Sequence, residues 1–277
     1  MRKFKIQNVK CKIIVFLIFA ILILNLTFLD KASAELTVDV QPNHIGIGFF
    51  YHGGKVNVSG ITSPDTDIIM TITSPEGYQT LKRKGKVGGL FWMNTGTLNF
   101  EKVSSLYILT STKKIKDILS KEEINKYLIG YEALENHIDI SPVSNEQEKM
   151  KWWLEFVKFH EASKLYEISH GRITLKQGTA GIPAGGEGVK AKQTYCISSN
   201  WPYQAVPDTY TVTVYATRDG KIVEKAEKNV FVEQVGIIKF LANMAKDKGA
   251  LYGIISIVVA LSVGFSVGMI FRKGGAH

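Results

Sequence analysis

Between residue 36 and about residue 100, apolar side chains recur at every second position: Leu36, Val38 and Val40, then Val56 and Val58, then Ile68, Met70 and Ile72. A period of two puts one set of side chains on one face, as in half-buried strands. Gly53-Gly54, Ser63-Pro64-Asp65 and Pro75-Glu76-Gly77 supply turn chemistry between the runs. This part of the chain reads as an antiparallel meander or one sheet of a sandwich.

The period then changes. Ser120-x-x-Glu123 and Ser144-x-x-Gln147 match capping boxes that open helices, the second running to about Ile168 before Gly171. Met150, Trp153, Leu154 and Val157 form its apolar stripe, widened by Trp152, Phe156 and Phe159. Such a stripe suits a helix pressed on a sheet. Its mixed Lys and Glu argue against a cationic helix on a membrane surface. Alternation returns at residues 172–177, 190–197, 210–215 and 221–232, with Asp219-Gly220 as a two-residue hairpin turn. Val206-Pro207-Asp208-Thr209-Tyr210 is shaped like the entry to strand F of immunoglobulin-like sandwiches, where a Tyr folds back over the corner. The expected fold is mainly β, an Ig-like antiparallel β-sandwich over residues 35–232 with a helical insertion at about 113–169. Two small β domains flanking the helices fit the same pattern.

At the N-terminus, Arg2, Lys3, Lys5, Lys10 and Lys12 precede the apolar run 13–28, and Ala32-Ser33-Ala34 follows it. That order predicts a signal peptide over residues 1–34. At the other end, residues 250–271 carry no charge. Their length corresponds to about 33 Å of helix, enough for a hydrocarbon core of about 30 Å. Arg272 and Lys273 follow, and cations mark the inner side. The expected topology is therefore an extracytoplasmic domain, a juxtamembrane segment 233–249, a transmembrane helix 250–271 and a cytoplasmic tail 272–277. The segment 233–249 has helical apolar spacing and either lies on the outer boundary of the membrane or extends the spanning helix. Ser256, Ala260, Gly264 and Gly268 line one stripe of the span, and small residues let another helix approach, whether a second copy or another membrane protein.

The formal charge of +9 shrinks on inspection. Setting aside the eight basic residues of the two ends, together with Asp30, leaves 26 basic against 24 acidic residues. Net charge therefore gives no argument for nucleic acid. Cys11 belongs to the signal, so the mature chain holds Cys196 alone and forms no internal disulfide; its place in a strand predicts a buried, inert thiol.

The pattern gives little sign of catalysis. His44, His52, His137, His160 and His170 form no HExxH, and no Cys and His cluster has zinc-ligand spacing. The Gly-rich loop 178–188 lacks the Gly-Lys-Ser/Thr ending of a phosphate loop, and no Gly-x-Ser-x-Gly elbow occurs. The chain is read as no enzyme, with no cofactor and no metal. The unusual cluster is Lys82, Arg83, Lys84 and Lys86, followed by Trp92. Four cations on a hairpin suit an anion or a lipid headgroup, while a Lys-rich edge strand that resists edge pairing gives the same pattern. Trp92 fits either core or recognition surface.

The run Leu81-Lys82-Arg83-Lys84-Gly85-Lys86-Val87-Gly88-Gly89-Leu90-Phe91-Trp92-Met93-Asn94 is the first of three matches to one family. Val103-Ser104-Ser105-Leu106-Tyr107 is the second, and Pro207-Asp208-Thr209-Tyr210-Thr211-Val212 with Tyr215 and Arg218-Asp219-Gly220 the third. Together they resemble the Alph_Pro_TM family of alphaproteobacterial transmembrane proteins. The resemblance implies a bacterial envelope protein with one C-terminal helix in the cytoplasmic (inner) membrane and its domain in the periplasm. It brings no catalytic residues, and it implies an accessory role beside an anion permease. Asp208 stands where Gly is usual in the family, and the helical middle is longer and richer in Lys. Two functions follow as expectations: a membrane-anchored interaction or accessory module, acting as a homodimer or on a permease, and a binding module for a small anion or lipid headgroup.

Overall fold

The computed structural model describes residues 36–177 and 192–272. The expected signal peptide, the Gly-rich loop 178–188 and the tail beyond Arg272 lie outside the described residues.

Two sheets face each other. One holds β1 (Asp39–Gln41), β3 (Gly54–Thr62), β11 (Gln193–Trp201) and β10 (Thr174–Gln177), in that spatial order. The other holds β2 (His44–Ile47), β13 (Lys221–Gln234), β12 (Asp208–Arg218), β4 (Asp67–Thr73), β7 (Tyr107–Ser111) and β9 (Tyr166–His170). Val40, Val56, Val58, Tyr195 and Ile197 from the first meet Ile68, Met70, Ile72, Ile108, Val212 and Val214 from the second in one core. The strands β1, β3, β11 and β10 stand in A-B-E-D order and β13, β12 and β4 in G-F-C order, which is the Ig-like arrangement. The corner expected at Tyr210 is formed. Its hydroxyl donates to the Val206 carbonyl at 2.7 Å, its ring meets Trp201 edge-on at 4.9 Å, and burial pushes its pKa up to about 12.

The antiparallel expectation fails at both edges of the six-stranded sheet, where β2 runs parallel to β13 and β9 parallel to β7. β1 and β2 are separated only by Pro42 and Asn43, so the chain changes sheets without reversing and meets β13 in the same direction.

The meander expected up to about residue 100 is also corrected. β5 (Glu76–Val87) and β6 (Phe91–Ser104) leave the sandwich and form a third sheet with β8 (Asp139–Ser141). With α1 (Ile115–Ile118), α2 (Lys121–Lys126), α3 (Tyr131–His137) and α4 (Glu146–Ala162), this sheet covers the outer face of the six-stranded one. A second core results, in which Ile69, Leu109 and Tyr215 of the large sheet meet Leu98, Phe100, Ile118, Ile129, Trp153 and Phe156. Consequently β4 is buried on both faces from Ile68 to Ile72, Thr71 included, and its period of two does not show in its burial.

The insertion holds helices only to Ala162, and residues 166–170 are strand rather than helix. Ser120 caps α2 as expected, its Oγ accepting from Glu123 N at 3.3 Å. On α4 the cap is Asn145 instead of Ser144: Asn145 Oδ1 accepts from Glu148 N at 2.8 Å, and the Glu148 carboxylate accepts from Ser144 N at 2.9 Å. The face of α4 turned inward is Trp153, Phe156, Val157 and His160, while Met150, Leu154 and Phe159 are exposed. After β13 come α5 (Gly236–Asp247) and the apolar α6 (Gly249–Arg272). Residues Gly249–Phe271 are long and apolar enough to cross a membrane.

Candidate functional site

The β5–β6 hairpin is paired from Glu76 with Ser104 at its root to Val87 with Phe91 at its tip. The root is held firmly. Phe100 stacks against Phe156 at 4.4 Å, Glu76 Oε1 lies 2.9 Å from His137 Nε2, and Gln79 Oε1 lies 3.1 Å from His160 Nε2. His160 is thus a core residue. Its Nδ1 donates to the Phe156 carbonyl at 2.9 Å, and burial lowers its pKa.

The four cations of the sequence motif do not converge. Strand alternation puts Lys82, Lys84 and Lys86 on the exposed face and Arg83 on the other. The Arg83 guanidinium lies 5.6 Å over the Trp152 ring and 3.8 Å from Glu148 Oε1, tying β5 to the first half of α4. Backbone donation from Ser144, with help from the Trp152 indole and the Arg83 charge, holds the Glu148 carboxyl below its ordinary pKa. A bulge follows at Arg83/Lys84. It is built around Thr95, whose Oγ1 donates to the Arg83 carbonyl at 3.2 Å. A Cβ at Gly85 would stand 2.8 Å from Thr95 Cγ2, so glycine is needed there to let the two strands close.

Beyond this point the ribbon stands clear. Gly88 and Gly89 turn the chain with φ of 62° and 76°, a region that favours glycine. Leu90, Phe91, Trp92 and Met93 are 79%, 70%, 68% and 54% exposed. Trp92 pairs across the strands with Lys86, whose Nζ lies 5.6 Å over the indole ring. The tip therefore carries two surfaces: three ammonium groups with Trp92 on one, and Phe91 and Met93 on the other. The parity of the sequence separated Arg83 from the three lysines, but the exposure of Phe91 and Met93 had no signal in it. An apolar run after a Gly-Gly turn reads equally well as core.

The second set of expected site residues lies on α6. Ser256, Ala260, Gly264 and Gly268 fall at every fourth position, and a Cβ on Gly264 or Gly268 would meet no atom of the described residues within 4 Å. Ser256 Oγ is spent inside the helix, donating to the Tyr252 carbonyl at 2.8 Å. Cys196, expected to be buried, is exposed, because Tyr195 and Ile197 take the inward positions of β11.

Among the described residues, no group of three or more His, Cys, Asp and Glu side chains is placed to hold a metal ion. A depression of about 1010 Å³ brings His52, Lys55, Glu161, Lys164 and Arg172 near one another. Arg172 there is held by Glu167, with Nη1 to Oε1 at 3.0 Å. Against this geometry, the family described as "Putative transmembrane protein (Alph_Pro_TM)" matches residues 35–273, most of the chain. No curated protein matches it.

Proposed function

This chain belongs to the Alph_Pro_TM family of transmembrane proteins, and from that premise we propose that it is a single-pass membrane-anchored accessory protein that presents the β5–β6 hairpin to a partner outside the cytoplasm. The observation that carries this reading is the tip itself. Four consecutive large apolar residues are held in solvent on a hairpin whose root is locked into the second core. Exposed apolar patches of this kind mark interaction sites, and a fixed root lowers the entropy lost on binding. In this proposal a signal peptide at 1–34 delivers the Ig-like domain to the periplasm, α6 crosses the inner membrane, and the tail is cytoplasmic. The partner class is an integral membrane protein such as a permease, or a second copy packed along Ser256, Ala260, Gly264 and Gly268.

A second reading is favoured by one specific arrangement, the three lysines that share a face with Trp92. That face suits an anion or lipid headgroup, with the indole at the apolar boundary. One experiment separates the two. A photoactivatable phenylalanine analogue at Phe91 or at Lys84 is crosslinked in intact cells. The accessory reading expects a discrete protein adduct from position 91. Adducts to lipid alone from both positions favour the headgroup reading, and no adduct at either sinks both.

A further inference from the structure

We infer that the end of the sandwich from which the chain departs for the membrane is itself seated on the lipid surface, through the Phe49-Phe50 loop and the apolar face of α5. This does not depend on the hairpin.

The first observation is α5. Ile237, Phe240, Leu241 and Met244 share one side of it, and Lys239, Asn243 and Lys246 the other, with Asp247 at the boundary beside Phe240. Among the described residues none of α5 is buried; Ile237, Phe240 and Leu241 are exposed and Met244 is half-buried, so most of the apolar side is left open. The helix is not an extension of the span. Lys248 breaks it, with φ −136° and ψ 50°, outside the helical region. Yet that break is a single residue, and consecutive Cα atoms are about 3.8 Å apart. The end of α5 therefore lies within a few ångströms of the start of α6. An amphipathic helix fixed at that height has one apolar phase within reach, the lipid of the membrane that α6 enters. Lys246 and Lys248 beside it complement anionic headgroups.

The second observation is independent. Ile47 pairs with Gln234, and Val235 N donates to the Ile47 carbonyl at 3.0 Å, so β2 ends where α5 is about to begin. The two residues after Gly48 are Phe49 and Phe50, 71% and 82% exposed, with their rings edge-to-face at 5.0 Å. Two exposed phenylalanines in a loop are costly in water and favoured at a lipid boundary. The parallel edge strand brings them to the exit point of the chain. The occupant is thus a phospholipid surface and not a soluble partner.

The test uses the full chain, with Cys11 and Cys196 changed to Ser, in vesicles of phosphatidylethanolamine and phosphatidylglycerol. Single spin labels are placed at 49, 50, 237, 240, 243 and 246 and relaxed by lipid-soluble oxygen or by a water-soluble nickel chelate. Labels at 49, 50, 237 and 240 are expected to respond several-fold more to oxygen, and those at 243 and 246 more to nickel. Nickel-dominated relaxation at both 49 and 50, or no difference between the two sides of α5, overturns the inference. Positions 49 and 50 are read separately, so loss of one labelled protein leaves the test intact.

Discussion

His160 sits between Phe156 and Tyr166, with ring centroids at 4.1 and 4.9 Å, and its pH behaviour follows from that position. Burial disfavours the imidazolium and lowers its pKa, although the bond to the Phe156 carbonyl acts the other way. The folded ring stays neutral while the unfolded ring takes up a proton below its ordinary value of 6.5. The contribution to stability is therefore complete above about pH 6.5 and declines as pH falls through that value towards the folded pKa. Thermal unfolding of the protein in detergent micelles should show its midpoint falling as the solution is acidified from neutral. His160→Gln should flatten that part of the slope; an unchanged slope would assign the acid sensitivity to another group. At this scale the sequence could be read by parity. Alternation along β11 places Cys196 opposite to Tyr195 and Ile197, so its exposure was legible once those two were assigned to the core. Capping was legible only to within a residue. Asn145 and Ser144 are both good caps, and the choice rests on which backbone donors α4 offers.

Among the elements, α4 and the hairpin divide the labour of the insertion. Trp153 is fully buried, and its Nε1 donates to the Tyr131 carbonyl at 3.2 Å. Trp153→Ala should cost about 3–5 kcal/mol, read from denaturant midpoints. The triple change Leu90→Ser, Phe91→Ser and Trp92→Ser removes more apolar surface, yet should move stability by no more than about 0.5 kcal/mol per site, since all three are exposed. A large loss from the tip would mean that it packs on the protein after all. Element type was legible for sandwich strands such as β1, β3 and β11, whose alternation is clean. It was not legible for the third sheet. In β5 the apolar Tyr78, Leu81 and Val87 fall at uneven spacing and in β6 only Leu98 and Phe100 alternate, so nothing local shows that the pair forms a ribbon outside the sandwich. The inward side of α4 was hard to read for a related reason. With Met150, Leu154 and Phe159 also apolar, its stripe is too wide to name one face.

For the molecule as a whole, the clearest prediction concerns the span. If α6 associates with another helix through its small stripe, Gly264→Leu together with Gly268→Leu should block close approach and abolish the dimer or the co-purified partner from solubilised membranes. Unchanged recovery would leave the hairpin as the place of contact. The division into anchor and domain was plain from the chargeless run at residues 250–271, whose length admits few other uses. What could not be read was that the central sheet is shared. Tyr107, Leu109 and Tyr215 face one core while Ile108 and Val214 face the other. Only long-range packing decides that.

The position of the hairpin within that shared sheet has a mechanical consequence. Thr73, from which the arm departs, is paired with Thr211, and Thr211 with Asn229, five residues short of the end of β13. Arm and anchor are rooted at the same end of one sheet, two ladders apart. A pull on the tip therefore has a short route to the membrane segment through the base of β12, beside the packing of the hairpin root in the second core. Tension between a captured partner and the bilayer would fall on the root contacts of the hairpin and on the few hydrogen bonds around Thr211.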